Sequence, residues 1–265
     1  MISEKCLGLK PCFLKFRRRI IRAGGLLSGK RGRAGADFPL WWLLAGKKEK
    51  YNVSMQSYKN LIEGYLEFKK DSALKKEFYA HLHLGQNAEV LIISCCDSRV
   101  VPNIIMKAEP GEIFITRNIA ALVPPYDESH TSYHATSAAI EYAVKGLKVK
   151  HIIIMGHTKC GGIESLVKNA GRAETKTDFI GKWMKIARPA LEHTLKHCGE
   201  HSFEDKCTHC EKEALKISLS NLMSFPFVKQ AAEEGKLQTH AMLFDIKQCA
   251  LSEYNPASGE FEEIN

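Results

Sequence analysis

Three short apolar runs stand out against an otherwise mixed background: Val90-Leu-Ile-Ile-Ser94, Glu112-Ile-Phe-Ile-Thr116 and His151-Ile-Ile-Ile-Met155. Runs of this length, rich in β-branched residues, predict strands buried on both faces, as in a parallel sheet. Between the second and third, Tyr133 to Val144 has helical character and ends near Gly146. A further helix is expected after Gly161-Gly162, and Thr208 to Met223 reads as a long one stopped near Pro226. Upstream, Tyr58, Leu61, Ile62, Tyr65 and Leu66 recur at helical spacing among Lys and Glu. That segment predicts a helical arm lying across the body or onto a second subunit. The tail, Met242 to Phe261, reads as an edge hairpin turning at Asn255-Pro256-Ala257-Ser258-Gly259. Strands alternating with helices predict an α/β fold: a mainly parallel sheet flanked by helices, with an N-terminal helical arm and a C-terminal edge hairpin.

Charge separates one region from the rest. Residues 1–54 hold 13 Lys/Arg against 3 Asp/Glu, whereas the other 211 hold 25 against 27. The net charge of +8 therefore belongs to the leader, and the body offers no electrostatic reason to expect nucleic acid. The longest apolar run, Phe38 to Gly46, is far short of the roughly 20 residues that span a bilayer. Residues 1–54 read as a basic leader, disordered or outside the native domain, and residues 55–265 as one catalytic domain. Two alternatives stay open for the leader: a transit peptide, or translation starting at Met55. The expected location is cytoplasmic, or an organelle stroma or matrix if the leader is a transit peptide. Nine cysteines, an odd number without a convincing secretory signal, favour metal or catalytic thiols over a disulfide framework.

Two predicted strands run into chemistry-bearing residues, Cys95-Cys96-Asp97-Ser98-Arg99 and Gly156-His157-Thr158-Lys159-Cys160-Gly161-Gly162. Functional groups gather at the carboxyl ends of parallel strands, so the clusters can meet at one rim. Two thiolates and one imidazole would then leave a fourth position open, the arrangement of catalytic zinc. Two buried thiols and a core histidine are the bland alternative, which the matched strand ends disfavour.

The pattern Cys95-x-Asp97-Ser98-Arg99 with His157-x-x-Cys160-Gly161-Gly162 resembles the zinc signature of β-class carbonic anhydrases. The resemblance continues through Pro110-Gly111-Glu112, Arg117-Asn118, Leu122 to Asp127, Ala138 to Val144, Cys207-Thr208-His209-Cys210-Glu211-Lys212-Glu213 and Pro226-Phe227-Val228. The last two stretches point to the plant-type branch. The resemblance implies a carbon–oxygen lyase that hydrates CO₂ reversibly to bicarbonate and a proton. It implies one zinc per chain on Cys95, His157 and Cys160, with water or hydroxide in the fourth position attacking CO₂. Asp97 and Arg99 match its catalytic dyad, with Asp97 a conditional fourth ligand. Gln86, Phe114, Ile119, Tyr142 and Gly161 fall at its substrate-facing positions, Ile119 replacing a more usual Val. A homo-oligomer, dimer or higher, is implied, with neither nucleic acid nor membrane as partner.

Physical logic supports the dyad. An Asp beside zinc can accept a hydrogen bond from hydroxide or can itself displace the water. A forked Arg gripping the carboxylate holds it off the metal. Departures from the family pattern are Cys96 beside a ligand, Lys159 inside the second motif, and Ala135-Thr136-Ser137 in place of Gly-Thr-Gly. Cys198, Cys207, His209 and Cys210 have the spacing of a second zinc site, but Thr208-x-x-Glu211 reads as a capping box opening the long helix. Two rival functions remain: a same-fold hydrolase of CS₂ or COS, and a non-catalytic protein binding membrane or nucleic acid through its leader. The complete ligand set and intact dyad argue against the second.

Overall fold

The computed structural model describes residues 58–70, 79–80, 82–129, 134–170 and 179–265. The leader, Met55 and Tyr133 lie outside these. The chain divides after Leu66 into two compact units, a boundary that falls inside the first helix, α1 (Tyr58–Lys70). Tyr58, Leu61, Ile62, Tyr65, Leu66 and Phe68 of α1 are all exposed.

The body is built on six strands. In chain order come β1 (Val90–Cys95), the short α2 (Pro102–Ile105), β2 (Ile113–Asn118) and a 3₁₀ turn (Ile119–Ala121). Helix α3 (Ala135–Glu141) runs on into a π-helical turn (Tyr142–Leu147) and is followed by β3 (His151–His157) and α4 (Gly161–Lys168). Then come α5 (Ile180–Met184), α6 (Arg188–His197), α7 (Phe203–Met223), α8 (Pro226–Glu233), β4 (Gln238–Asp245), β5 (Ala250–Asn255) and β6 (Glu260–Glu263). The sheet order is β2-β1-β3-β4-β5-β6. β2, β1, β3 and β4 are parallel, and β5 and β6 are added antiparallel. No helix among the described residues is long and apolar enough to cross a membrane.

The two-sided burial follows from the strand sequences. Leu91, Ile93, Cys95, Ile152 and Ile154 join the larger core on one face. Ile92 and Met155 turn to the other, with Val90, Ile113, Ile115 and Ile153 packed around them. Each such side chain taken fully out of water contributes about 1.5–3 kcal/mol, which explains why the central strands need apolar residues on both faces. Helix α7 closes the larger core through Cys207, Cys210, Ala214, Leu215 and Leu222. Leu215 lies so close to β3 that a Cβ at Gly156 would meet its methyl carbons at 3.0 Å.

Two expectations need correction. Helix α7 begins at Phe203, not Thr208; its cap is Ser202, whose Oγ accepts from the Asp205 N–H at 3.1 Å. Thr208-x-x-Glu211 has the letters of a capping box but sits in the second turn, where backbone donors are already satisfied. The C-terminal hairpin exists as β5–β6, but Met242 belongs to β4, an inner strand that begins at Gln238 and runs parallel to β3. Its first residues, Gln238-Thr-His240, lack the apolar run that marks its neighbours, so periodicity alone left them out.

Candidate metal centre and active site

The site forms where two neighbouring parallel strands end. Cys95 is the last residue of β1, His157 the last of β3, and Cys160 caps the N-terminus of α4. Strands β1 and β3 are hydrogen-bonded neighbours, Ser94 pairing with Met155, so residues sixty apart in sequence emerge side by side. Donor atoms of Cys95, His157 and Cys160 all lie within 4.8 Å of one another, and the three residues are 5%, 2% and 4% exposed. Cys96, the neighbouring thiol, is exposed.

His157 is held in one tautomer. Its Nδ1 is 2.8 Å from the Thr158 carbonyl, which can only accept, so Nδ1 carries the proton. Its Nε2 is left with a lone pair, buried and without a hydrogen-bond partner. The Cys160 thiol beside Cys95 pulls Cys95 well below the ordinary thiol range, while the same partnership and burial push Cys160 up. Two buried thiols facing an orphaned imidazole lone pair make a donor set of the kind zinc takes. The residues present fit that metal.

Asp97 and Arg99 stand beside this group. Arg99 grips the carboxylate through Nε to Oδ1 at 2.9 Å and Nη2 to Oδ2 at 2.7 Å, and its backbone N–H adds a third bond at 2.9 Å. These bonds hold Asp97 far below the usual carboxylate range. Its Oδ2 is 3.8 Å from His157 Nε2. Arg99 Nη2 also donates to the Lys159 carbonyl at 2.9 Å, tying the loop after β1 to the loop after β3. Lys159 adopts φ 60°, a left-handed conformation uncommon outside glycine, as the chain turns from His157 to Cys160 in two residues.

Two supporting residues carry no signal that the sequence reading assigned to the site. Arg117 on β2 donates to the carbonyls of Cys95 (2.8 Å), Asp97 (2.7 Å) and Val100 (2.7 Å), fixing the loop that presents Cys95 and Asp97. Glu211 on α7, 3% exposed, accepts the Cys160 N–H at 2.8 Å, and its other oxygen is buried without a partner. Burial pushes Glu211 up to about 7. Both were visible only as letters within the family motifs; their partners come from strand and helix packing.

Of the expected pocket residues, two aromatics meet. The rings of Phe114 on β2 and Tyr142 at the start of the π-helical turn are 5.6 Å apart. Ile119 lies over the start of α4, where a Cβ on Gly162 would meet its Cγ2 at 3.0 Å, and Trp183 Nε1 donates to its carbonyl at 2.9 Å. Gly161 is exposed as the first residue of α4, and Gln86 is exposed in the segment leading into β1. The cysteine-rich motif does not assemble a zinc site. Cys198, Cys207 and Cys210 are buried free thiols, and His209 instead gathers with His193 and Glu213.

Comparison with known proteins agrees with this geometry. The carbonic anhydrase family profile matches residues 90–251. Beta carbonic anhydrase 3 of Arabidopsis thaliana is 40% identical over 230 residues, covering 86% of this chain and 88% of that protein. Among solved structures, the β-carbonic anhydrase CcaA superposes with a TM-score of 0.72 at 28% identity, covering 78% of this chain and 98% of that one. One of the two tetrameric β-carbonic anhydrases of the ascomycete Sordaria macrospora gives 0.63 at 28% identity, covering 73% and 93%. With the family match running from β1 through β4 and so across the rim that carries the site, the chain belongs to the carbonic anhydrase family, in its β class and plant-type branch.

Proposed function

We propose that the chain catalyses reversible hydration of CO₂ to bicarbonate and a proton, with one zinc held by Cys95, His157 and Cys160. The convergence of these three donors beside the Asp97–Arg99 fork carries the reading. Bound there, zinc supplies the Lewis acidity that turns water into a nucleophile at accessible pH. The protein does the rest. His157 offers Nε2 because Thr158 holds the proton on Nδ1. Asp97 stays ionised, so it can accept a hydrogen bond from the attacking water and orient it. Arg99 keeps that carboxylate from acting as a ligand itself. Phe114, Ile119 and Tyr142 would offer an apolar wall for CO₂, and the Gly161 N–H and Gln86 amide would meet bicarbonate oxygens. Arg117 and Glu211 position the two ligand loops.

A homo-oligomer is part of this proposal, supported by the exposed apolar residues of α1 and by the tetrameric assembly of the Sordaria relatives. The proposed location is cytoplasmic, with an organelle as the alternative should residues 1–54 act in targeting. Stopped-flow CO₂ hydration before and after zinc chelation, with CS₂ and COS hydrolysis run beside it, tests the function. Zinc-dependent CO₂ hydration well above either hydrolysis is expected. Hydrolysis of CS₂ or COS without CO₂ hydration would transfer the site to the rival chemistry.

A further inference from the structure

Helices α6 and α7 bring a second set of donors together on the surface, remote in sequence from the sheet rim. His193 comes from α6; His209 and Glu213, four apart and so on one face, come from α7. One donor atom from each lies within 4.8 Å of the other two. We propose that His193, His209 and Glu213 form a second metal site, for a divalent first-row transition cation such as zinc.

The arrangement has features that a chance cluster lacks. Zinc bonds of 2.0–2.2 Å in tetrahedral geometry put ligand atoms roughly 3.3–3.6 Å apart. Nδ1 of His193 and Oε2 of Glu213 are already 3.5 Å apart. A donor atom of the third residue, His209, lies within 4.8 Å of both. The rings of His193 and His209 are nearly parallel, 8° apart with centroids 5.4 Å apart.

His209 is also pre-set to ligate. Thr194 donates its hydroxyl proton to the Ala190 carbonyl at 2.8 Å. Its oxygen therefore accepts from His209 Nδ1, 3.0 Å away, which places the proton on Nδ1 and leaves Nε2 with a lone pair. Outer partners that fix an imidazole in this way are a regular part of metal sites. Thr194 itself is fully buried, so the orienting group does not wander.

Two neighbours bear on the site. Lys216 Nζ lies 2.9 Å from Glu213 Oε1, leaving Oε2 for a cation and offsetting the carboxylate charge. His197 stacks on His193 with centroids 4.0 Å apart, its Nδ1 donating to the His193 carbonyl at 2.8 Å. Imidazole and carboxylate donors without thiolate suit zinc, cobalt, nickel or copper(II) over softer ions. Water completes the coordination, because His193 is half exposed. Such a cation would clamp α6 to α7, the helix whose Glu211 holds the Cys160 N–H.

The test uses the full chain, saturated with zinc and freed of loosely held metal, and titrates it calorimetrically with further Zn²⁺. One additional Zn²⁺ per chain is expected, with affinity falling at least tenfold in His193→Ala, His209→Ala and Glu213→Gln. The unfolding midpoint of the same zinc-saturated protein should rise with added Zn²⁺ in the wild type and not in His193→Ala. Half-exposed His193 makes that variant the one least able to disturb the fold. Binding by the wild type that is unchanged in His193→Ala and Glu213→Gln, or no additional binding at all, overturns the proposal. The readout is the part of binding that depends on His193, so it stands whether or not the buried site holds zinc.

Discussion

Cys95, His157 and Cys160 sit at the rim of a sheet, each no more than 5% exposed, whereas His193, His209 and Glu213 lie between two helices with His193 half in water. Both groups count three donors within 4.8 Å. They differ in what they cost without an ion. The rim group keeps two thiols and an orphaned imidazole nitrogen out of water, a cost relieved only when the lone pairs find a cation. The helix group is reached by solvent through His193, with Lys216 and Thr194 serving its other members. A buried thiolate site built on strand ends is rigid and retains its ion. A surface imidazole–carboxylate site exchanges its ion with the medium.

The largest expected effect separates the two groups outright. Cys160→Ser should lose nearly all of the tightly held zinc and all CO₂ hydration, while the zinc binding that depends on His193 persists. Metal analysis after dialysis checks this. Normal zinc content in the variant would remove Cys160 from the ligand set.

Next comes Arg99→Ala, which frees Asp97 without touching a ligand. Zinc should stay bound and turnover should fall at least about a hundredfold, within the range for a misplaced proton-handling group. The profile of kcat against pH, with zinc measured in parallel, decides it. Wild-type turnover at every pH would make the pair merely structural.

A smaller effect concerns Glu211, which supports Cys160 from α7. Its folded value is raised to about 7 from an unfolded 4.5. Between these values the unfolded chain has released a proton that the folded chain keeps, so stability falls as pH rises through the window and levels off above it. Glu211→Gln keeps an acceptor for the Cys160 N–H and carries no charge. Its stability relative to wild type should grow by on the order of 2–3 kcal/mol between pH 5 and pH 8. Urea unfolding at both pH values measures this; a parallel shift of the two proteins would mean that Glu211 is ionised throughout.

The smallest effects are expected nulls. Cys210→Ser should leave zinc content unchanged, and a chain beginning at Met55 should bind zinc and hydrate CO₂ as the full chain does. Metal analysis and stopped-flow assay check both, and a large loss on truncation would give the leader a structural part.

How much of this was legible depended on whether a signal was local. The runs Val90–Ser94 and His151–Met155 announced buried strands, and the residues just after them were the thiols and imidazole that the fold brings together, so the rim could be read from the chain. Asp97 and Arg99, two residues apart, were equally readable. Glu211 was not. Thr-x-x-Glu has the same letters at a helix start and inside a helix, and only the Ser202 cap shows which it is. His209 was seen within a cysteine motif, but its partner His193 becomes a neighbour only when α6 packs on α7. Arg117 and β4 were obscured for the same reason, since both take their meaning from strands distant in sequence.

The outermost strand has a consequence for how copies of this molecule behave at high concentration. A free sheet edge is a template on which another chain can add a strand and begin a fibril or an aggregate. Here β6 presents Glu260, Glu262 and Glu263 around one aromatic, Phe261, which packs against Tyr254. Two such edges approaching each other would set three carboxylates against three, and at ordinary ionic strength that repulsion acts over about 8–10 Å, enough to discourage the first contact. The strand thus blunts the sheet edge with charge, and colloidal stability should weaken first where salt screens these carboxylates.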